Sequence, residues 1–127
     1  MDHIIEINRR RLFSLRDAQD LLPLVYRLTD EASRDVKKQM QCLEALPNRK
    51  SDRAIEVEAV IDAIVDRWQK KIQRLGGLPK GLWLADFDNG EGYWCWKYPE
   101  TSIEHCHGYQ DGFSGRRLIS VMPGVIQ

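Results

Sequence analysis

The sequence predicts an α+β fold, in which a long antiparallel helical hairpin is followed by a small antiparallel β-sheet. All nine glycines follow Leu75, whereas residues 1–75 contain none and carry apolar residues at helical spacing. Three of the four tryptophans also follow Leu75, among short apolar runs separated by turn residues. We expect one domain, 1–127, with the hairpin in 1–75 and the sheet in 76–127, because the chain is too short for two ordinary domains.

The first helix is predicted to begin at Ser14, because Asp17 lies three residues later in a capping-box arrangement. Thr29 and Gln39 are polar members of its apolar seam, and they either fix the register against a partner helix or lie near a wet edge. We expect Pro23 to produce a kink near residues 19–23, or a short first helix followed by a long one. The seam alternates steps of three and four residues: Leu15, Ala18, Leu22, Val25, Thr29, Ala32, Val36, Gln39, Leu43 and Leu46.

The second helix is predicted to begin after Ser51 and to end at Gly76-Gly77, where glycine adopts the left-handed cap at little cost. The short loop from Pro47 to Lys50 makes the two helices antiparallel neighbours. Several apolar residues fall outside the narrow seam and need cover from the sheet or from a second copy, so a homodimer is expected. These residues are Leu21, Leu28, Ile55, Val60 and Val65.

The glycine-rich half predicts four strands, over residues 82–87, 93–98, 103–107 and 117–121. Strand alternation places Trp94, Trp96 and Tyr98 on one face, where we expect aromatic packing against the hairpin. Tyr93, Cys95 and Lys97 lie on the other face. Cys95 is interpreted either as a reactive thiol or as an apolar thiol packed on the helices, and the second interpretation is preferred.

Composition excludes several classes of function. The net charge is zero and that of residues 76–127 is −2, which argues against a nucleic-acid partner. Three cysteines without CxxC spacing predict reduced thiols and a cytoplasmic location. No apolar run is long enough for a signal peptide or a membrane span, so no membrane partner is expected.

An ordered set of residues across nearly the whole chain resembles an uncharacterised prokaryotic family, domain of unknown function 2203. The matching residues are Arg11-Leu12-Phe13-Ser14-Leu15, Ala18, Leu21-Leu22-Pro23-Leu24-Val25, Gly81-Leu82, Asp86-Phe87, Cys95-Trp96, Glu100, Ile103, His107 and Gly112-Phe113-Ser114-Gly115-Arg116. The resemblance implies a small soluble prokaryotic domain without an established activity. Two positions depart from the family pattern. An aromatic residue usually precedes the histidine, where this chain has Cys106, and proline usually follows the Asp-Phe segment, where this chain has Asp88.

The polar members of this set, Asp86, Glu100, His107 and Arg116, are the candidate ligand-binding residues at the end of the sheet. Three interpretations of these residues stay open. They form a structural network in which Arg116 pairs with Asp86 or Glu100, they line a ligand pocket, or they bind a divalent metal ion. His105 and His107 lie on one face of a strand and are the candidate metal ligands.

The sequence therefore favours a non-enzymatic, dimeric binding or regulatory module whose polar site lies at the sheet end. The alternative is a small metal-binding protein or metal-dependent enzyme that uses the same residues. Whether the protein is an enzyme stays open, since no phosphate loop, GxSxG, HExxH or dinucleotide motif occurs. No cofactor is expected beyond the divalent metal of the alternative.

Overall fold

The computed structural model describes residues 11–121, and it confirms the α+β fold. Two helices, α1 (Leu15–Glu44) and α2 (Asp52–Arg74), pack against each other. A five-stranded sheet follows, in the order β1-β2-β3-β4-β5 with every neighbouring pair antiparallel. The strands are β1 (Leu78–Gly81), β2 (Leu84–Asp88), β3 (Tyr93–Lys97), β4 (His105–His107) and β5 (Arg117–Leu118). Short 3-10 helices occupy Phe113–Gly115 and Ile119–Val121.

The start of α1 carries the predicted capping box, because the Ser14 hydroxyl accepts a hydrogen bond from the Asp17 amide and the Asp17 carboxylate accepts one from the Ser14 amide. The alternative of two helices in this segment is wrong, because α1 runs without interruption through Pro23. Proline inside a helix removes one backbone hydrogen bond, and its ring crowds the carbonyl four residues earlier. Leu22 and Val25, on either side of Pro23, are both buried in the core, and this packing offsets the missing bond.

The end of α2 also agrees with the prediction. Gly76 adopts a φ of +94°, which only glycine tolerates readily. Its amide donates to the Gln73 carbonyl, and the Gly77 amide donates to the Ile72 carbonyl. This pair of bonds is a Schellman motif, which satisfies carbonyls that would otherwise lack partners at the helix end.

A buried hydrogen bond fixes the register of the two helices. Thr29 is fully buried on α1, and its hydroxyl donates to the Val25 carbonyl at 2.7 Å. The same hydroxyl oxygen accepts a 2.8 Å hydrogen bond from the Trp68 indole N–H on α2. Of the two predicted roles for Thr29, the structure therefore supports the fixing of register.

The sheet begins earlier than predicted. Leu82 and Trp83 were expected inside the first strand, but they form the turn between β1 and β2, with Trp83 at a φ of +64°. The strand β1 was not predicted, because Pro79 and Gly81 are atypical of strands. The predicted strand over 117–121 is correct only for Arg117–Leu118, since a 3-10 helix follows.

The two faces of the sheet have different environments. Trp94 and Trp96 point towards the helices and belong to the main hydrophobic core, as the sequence predicts, and Tyr98 packs partly buried against it. Phe87 belongs to the same core. Neighbouring side chains on the same strands point to the opposite face, which we call the outer face. Four of these outer-face side chains are buried and polar or ionisable: Asp86, Asp88, Cys95 and His107.

The far end of the hairpin has a separate small core. Leu43, Ala54 and Val57 form it, with partly buried neighbours only from the hairpin among the described residues. Ile55 and Val60 on this part of α2 are 59% and 43% exposed. No helix within residues 11–121 is long and apolar enough to cross a membrane.

We expect Thr29→Val to lower the free energy of unfolding by roughly 1–3 kcal/mol, because it keeps the side-chain shape but leaves the Trp68 N–H buried without an acceptor. Thr29→Ser keeps the hydroxyl and is the matched control, with a smaller loss. Urea denaturation at constant m-value measures both. Equal stability of Thr29→Val and the wild type would contradict this role of the hydroxyl.

Candidate functional site

The candidate site lies on the outer face, where β2, β3 and β4 bring together residues distant in the sequence. The register pairs Asp86 with Cys95 across β2 and β3, and Tyr93 with His107 across β3 and β4. The carboxylate, thiol and imidazole ligand atoms of Asp86, Cys95 and His107 all lie within 4.8 Å of one another. Asp86 and His107 are 3% and 5% exposed, so this is a buried polar cluster.

Asp86 and His107 form the central contact of the cluster, with Oδ2 and Nε2 3.1 Å apart. The other ring nitrogen of His107, Nδ1, lies 2.9 Å from the Gly108 carbonyl oxygen. A carbonyl oxygen can only accept, so this contact assigns the hydrogen to Nδ1. Burial raises the pKa of Asp86 above its usual value, although the positive charge and hydrogen bond of His107 oppose that rise.

A cavity of about 220 Å³ opens above the buried cluster. We call it the outer-face cavity. Its walls include the rings of Tyr93, Tyr109 and Phe113, of which the last two are more than one third exposed. Lys80 and Asp111, both exposed, supply one charge of each sign to its lining. The remaining lining residues are Leu84, Asp86, Cys95, His107 and Gly112.

Cys95 lies on the cavity side of the sheet, and the preferred interpretation of a thiol packed on the helices is therefore wrong. The reason is strand alternation, because Trp94 and Trp96 on either side of it take the helix-facing positions. Burial first, and then the negative charge of Asp86, raise the pKa of the Cys95 thiol to about 12. The thiol is consequently neutral near pH 7, which does not fit a reactive nucleophile.

Glu100 and Arg116 form a second polar group. The guanidinium donates two hydrogen bonds to the carboxylate, Nη1 to Oε1 at 3.1 Å and Nη2 to Oε2 at 2.7 Å. Glu100 also accepts from the Lys97 amide at 2.9 Å, and the guanidinium lies 4.5 Å from the Phe113 ring centre. Burial opposes ionisation of Glu100, but the hydrogen bonds from Arg116 and Lys97 outweigh it and lower the pKa of Glu100.

The four predicted ligand-binding residues are thus divided between two groups. Asp86 and His107 meet at the cavity, whereas Glu100 pairs with Arg116 beside it. Arg116 connects the groups, because its guanidinium also interacts with the Cys95 thiol. Of the two predicted partners of Arg116, Asp86 and Glu100, the structure selects Glu100.

The predicted pair of metal ligands is also divided. His105 shares the outer face with His107, but its Nδ1 lies 3.9 Å from Glu100 Oε2, and it is outside the cluster of Asp86, Cys95 and His107. Within residues 11–121, the buried His105 Nδ1 has no hydrogen-bond partner. Sequence reasoning did not select Cys95 for the site, although its place on the face opposite the tryptophans was a usable signal.

The fold and the cavity define a small α+β domain that carries a buried polar cluster on the outer face of its sheet. A family model described as an uncharacterized conserved protein, DUF2203, matches residues 11–119. The chain belongs to this family, as the sequence resemblance implied. Neither the curated proteins nor the solved structures contain a significant match to it.

The lowered pKa of Glu100 predicts a pH-dependent contribution to stability. A carboxylate whose pKa is lowered in the folded state stabilises the fold at pH values above its ordinary pKa, which is 4.5 for Glu100. This stabilisation is lost as the pH falls through the folded-state pKa. We expect Glu100→Gln to cost roughly 1–3 kcal/mol near neutral pH and progressively less in acid.

Urea denaturation at a series of pH values from neutral to acidic measures this difference. Glu91→Gln, at an exposed position in the turn between β2 and β3, is the matched control. A Glu100→Gln deficit that stays constant, or that grows in acid, would disprove the assigned role of the Glu100–Arg116 pair.

Proposed function

We propose that this protein is a non-enzymatic binding or regulatory module and that the outer-face cavity holds its ligand. The observation that carries the proposal is the placement of a buried polar cluster beneath an open cavity with aromatic walls. Small-molecule sites combine mostly apolar walls with a few fixed polar groups in this way. Both ring nitrogens of His107 are engaged, by Asp86 and by Gly108, which favours binding over a role as a general base.

The walls favour a small, flat ligand with an anionic group. The rings of Tyr93 and Tyr109 lie edge to face, 5.1 Å between centres, and present apolar surface for a planar ring. Lys80 places its ammonium 5.1 Å from the Tyr93 ring centre, within the same lining. Asp111, the opposite charge in the lining, already accepts a hydrogen bond from the Gly108 amide in its own loop, so Lys80 is the charge offered to a ligand. A simple aromatic carboxylate matches this combination of ring surface and positive charge.

The test is ligand-observed NMR with a panel of simple aromatic carboxylates and a variant that fills the cavity. Gly112 lines the cavity, has an extended backbone with a φ of −89°, and has nothing within 4 Å of an added Cβ atom. We therefore expect Gly112→Leu to fold normally and to weaken binding by at least about tenfold. Ser114→Leu adds the same side chain in the same loop, outside the cavity lining, and should bind as the wild type does.

Two results would oppose a binding function for the cavity. One is the absence of saturation transfer from the wild type to every member of the panel. The other is equal binding by Gly112→Leu and Ser114→Leu, because a ligand seated elsewhere would not distinguish these two positions.

We also propose that two copies of the chain pair through the far end of the hairpin and that the protein works in the cytoplasm. Support for pairing comes from Met40, Ile55 and Val60, apolar side chains that are 38–59% exposed on that end. A second copy would cover them with the same surface. Support for the location comes from the free thiols of all three cysteines. The charge of −2 on residues 76–127 argues against nucleic acid as the ligand.

The pairing predicts a mass of twice 14.8 kDa by light scattering at tens of micromolar protein. Ile55→Lys should shift the population to the monomer, because burying an unpaired ammonium at the interface is unfavourable. Leu82→Lys, at an exposed position in the turn between β1 and β2, is the matched control and should leave the dimer unchanged. A monomeric mass for the wild type would exclude the dimer.

A further inference from the structure

We propose that Asp86, Cys95 and His107 bind a divalent transition-metal ion at the floor of the outer-face cavity, and that Zn²⁺ fits this site best. The inference rests on the proposed function, because the ion would form part of the surface that receives the ligand. The inference extends that function by naming the metal ion and the group of the ligand, its carboxylate, that would coordinate the ion. The three residues differ from the histidine pair that the sequence suggested.

Geometry supplies the first argument. The three ligand atoms lie within 4.8 Å of one another, and the Asp86 and His107 atoms are already 3.1 Å apart. Ligand atoms of a tetrahedral zinc ion are separated by roughly 3.5 Å, given bond lengths of 2.0–2.3 Å. Each residue belongs to a different strand of a hydrogen-bonded sheet, so the backbone holds the three side chains in place.

The orientation of His107 supplies the second argument. With the hydrogen on Nδ1 and donated to Gly108, a neutral ring directs the lone pair of Nε2 at the carboxylate oxygen of Asp86. Two lone pairs at 3.1 Å need a cation between them, either a proton or a metal ion. Metal-binding histidines characteristically donate their second ring N–H to a backbone carbonyl, as His107 does.

The donor types select the metal. A thiolate and an imidazole are ligands for Zn²⁺ and related transition metals, whereas Mg²⁺ and Ca²⁺ prefer sites made of oxygen ligands. On binding, the metal ion displaces the Cys95 thiol proton, which is released to solvent. The resulting two anionic ligands and one neutral ligand balance the double charge of the ion, which offsets the cost of placing charge inside the protein. Arg116 is paired with Glu100, and its interaction with Cys95 favours the thiolate form that a metal ion binds.

The cavity defines the remaining coordination position. Structural zinc sites have four protein ligands, whereas the zinc sites of enzymes have three and keep a fourth position open to water or a small molecule. Among the described residues only these three form a cluster of metal-ligand type. The fourth position therefore faces the cavity, where the carboxylate of an aromatic ligand would occupy it.

The experiment uses the full chain, freed of metal by chelation, with Zn²⁺ and Co²⁺ as probes. We expect one equivalent of Zn²⁺ to bind in calorimetry, and Co²⁺ to give the charge-transfer absorption of a cobalt–thiolate bond. Cys95→Ser should abolish that absorption and weaken Zn²⁺ binding by at least about tenfold. Cys106→Ser replaces the neighbouring buried thiol that faces the helices, and it should leave both signals unchanged.

His105→Gln tests the same site against the histidine pair. It should preserve binding, whereas His107→Gln should abolish it, with circular dichroism used to confirm that each variant is folded. The cobalt–thiolate absorption of the wild type needs no variant, so the test stands even if one of them fails to fold. Less than about a tenth of an equivalent of Zn²⁺ bound, or cobalt binding without thiolate absorption, would overturn the metal site.

A final comparison separates this inference from the proposed function. The panel of aromatic carboxylates is measured against the metal-free protein and against the protein with Zn²⁺ added. Tighter carboxylate binding with Zn²⁺ supports the open coordination position. Carboxylate binding that is equal in the two forms overturns that position and leaves the cavity as the binding site.

Discussion

The strict alternation of side chains along β2, β3 and β4 is the constraint on which the rest of this molecule depends. A strand exposes successive residues to opposite faces, so a shift of register by one residue would exchange the two sets. Here Trp94 and Trp96 enter the main core, while Cys95 between them reaches the outer face. The apolar packing that fixes the sheet against the hairpin thereby also fixes the position of the buried polar cluster.

The hairpin and the sheet were predictable to different degrees, for physical reasons. The ends of helices depend on local signals, so the cap at Ser14 and the left-handed Gly76 could both be predicted from a few neighbouring residues. The beginning of the sheet could not be predicted in this way, because Leu82 and Trp83 are apolar residues that lie in a turn. The side chain of Trp83 packs edge to face on Trp68 of α2, and this tertiary contact offsets a backbone conformation that its own sequence would not favour.

The residues of the candidate site were easier to predict from the sequence than the contacts among them. The resemblance to the family directed attention to Asp86, Glu100, His107 and Arg116, and the structure places all four on or beside the outer face. The pairing among these residues depends on the register of the strands and on the loop after β4. The spacing of residues in the sequence determines neither of these. Cys95 was overlooked because its tryptophan neighbours suggest an apolar setting, although alternation assigns it to the opposite face.

The two polar groups of the outer face differ in how their charges are stabilised. Arg116 gives Glu100 a complete counter-charge with two parallel hydrogen bonds, and the Lys97 amide adds a third, so that pair is satisfied within the described chain. The Asp86–His107 contact is more deeply buried, and the Gly108 carbonyl fixes which ring nitrogen carries the hydrogen. A proton between Nε2 and Oδ2 completes this contact, and the proposed metal ion would take the place of that proton. Since the cavity opens at this contact, the proposed ion and the ligand of the cavity would meet at one place, which is why binding of the two should be coupled.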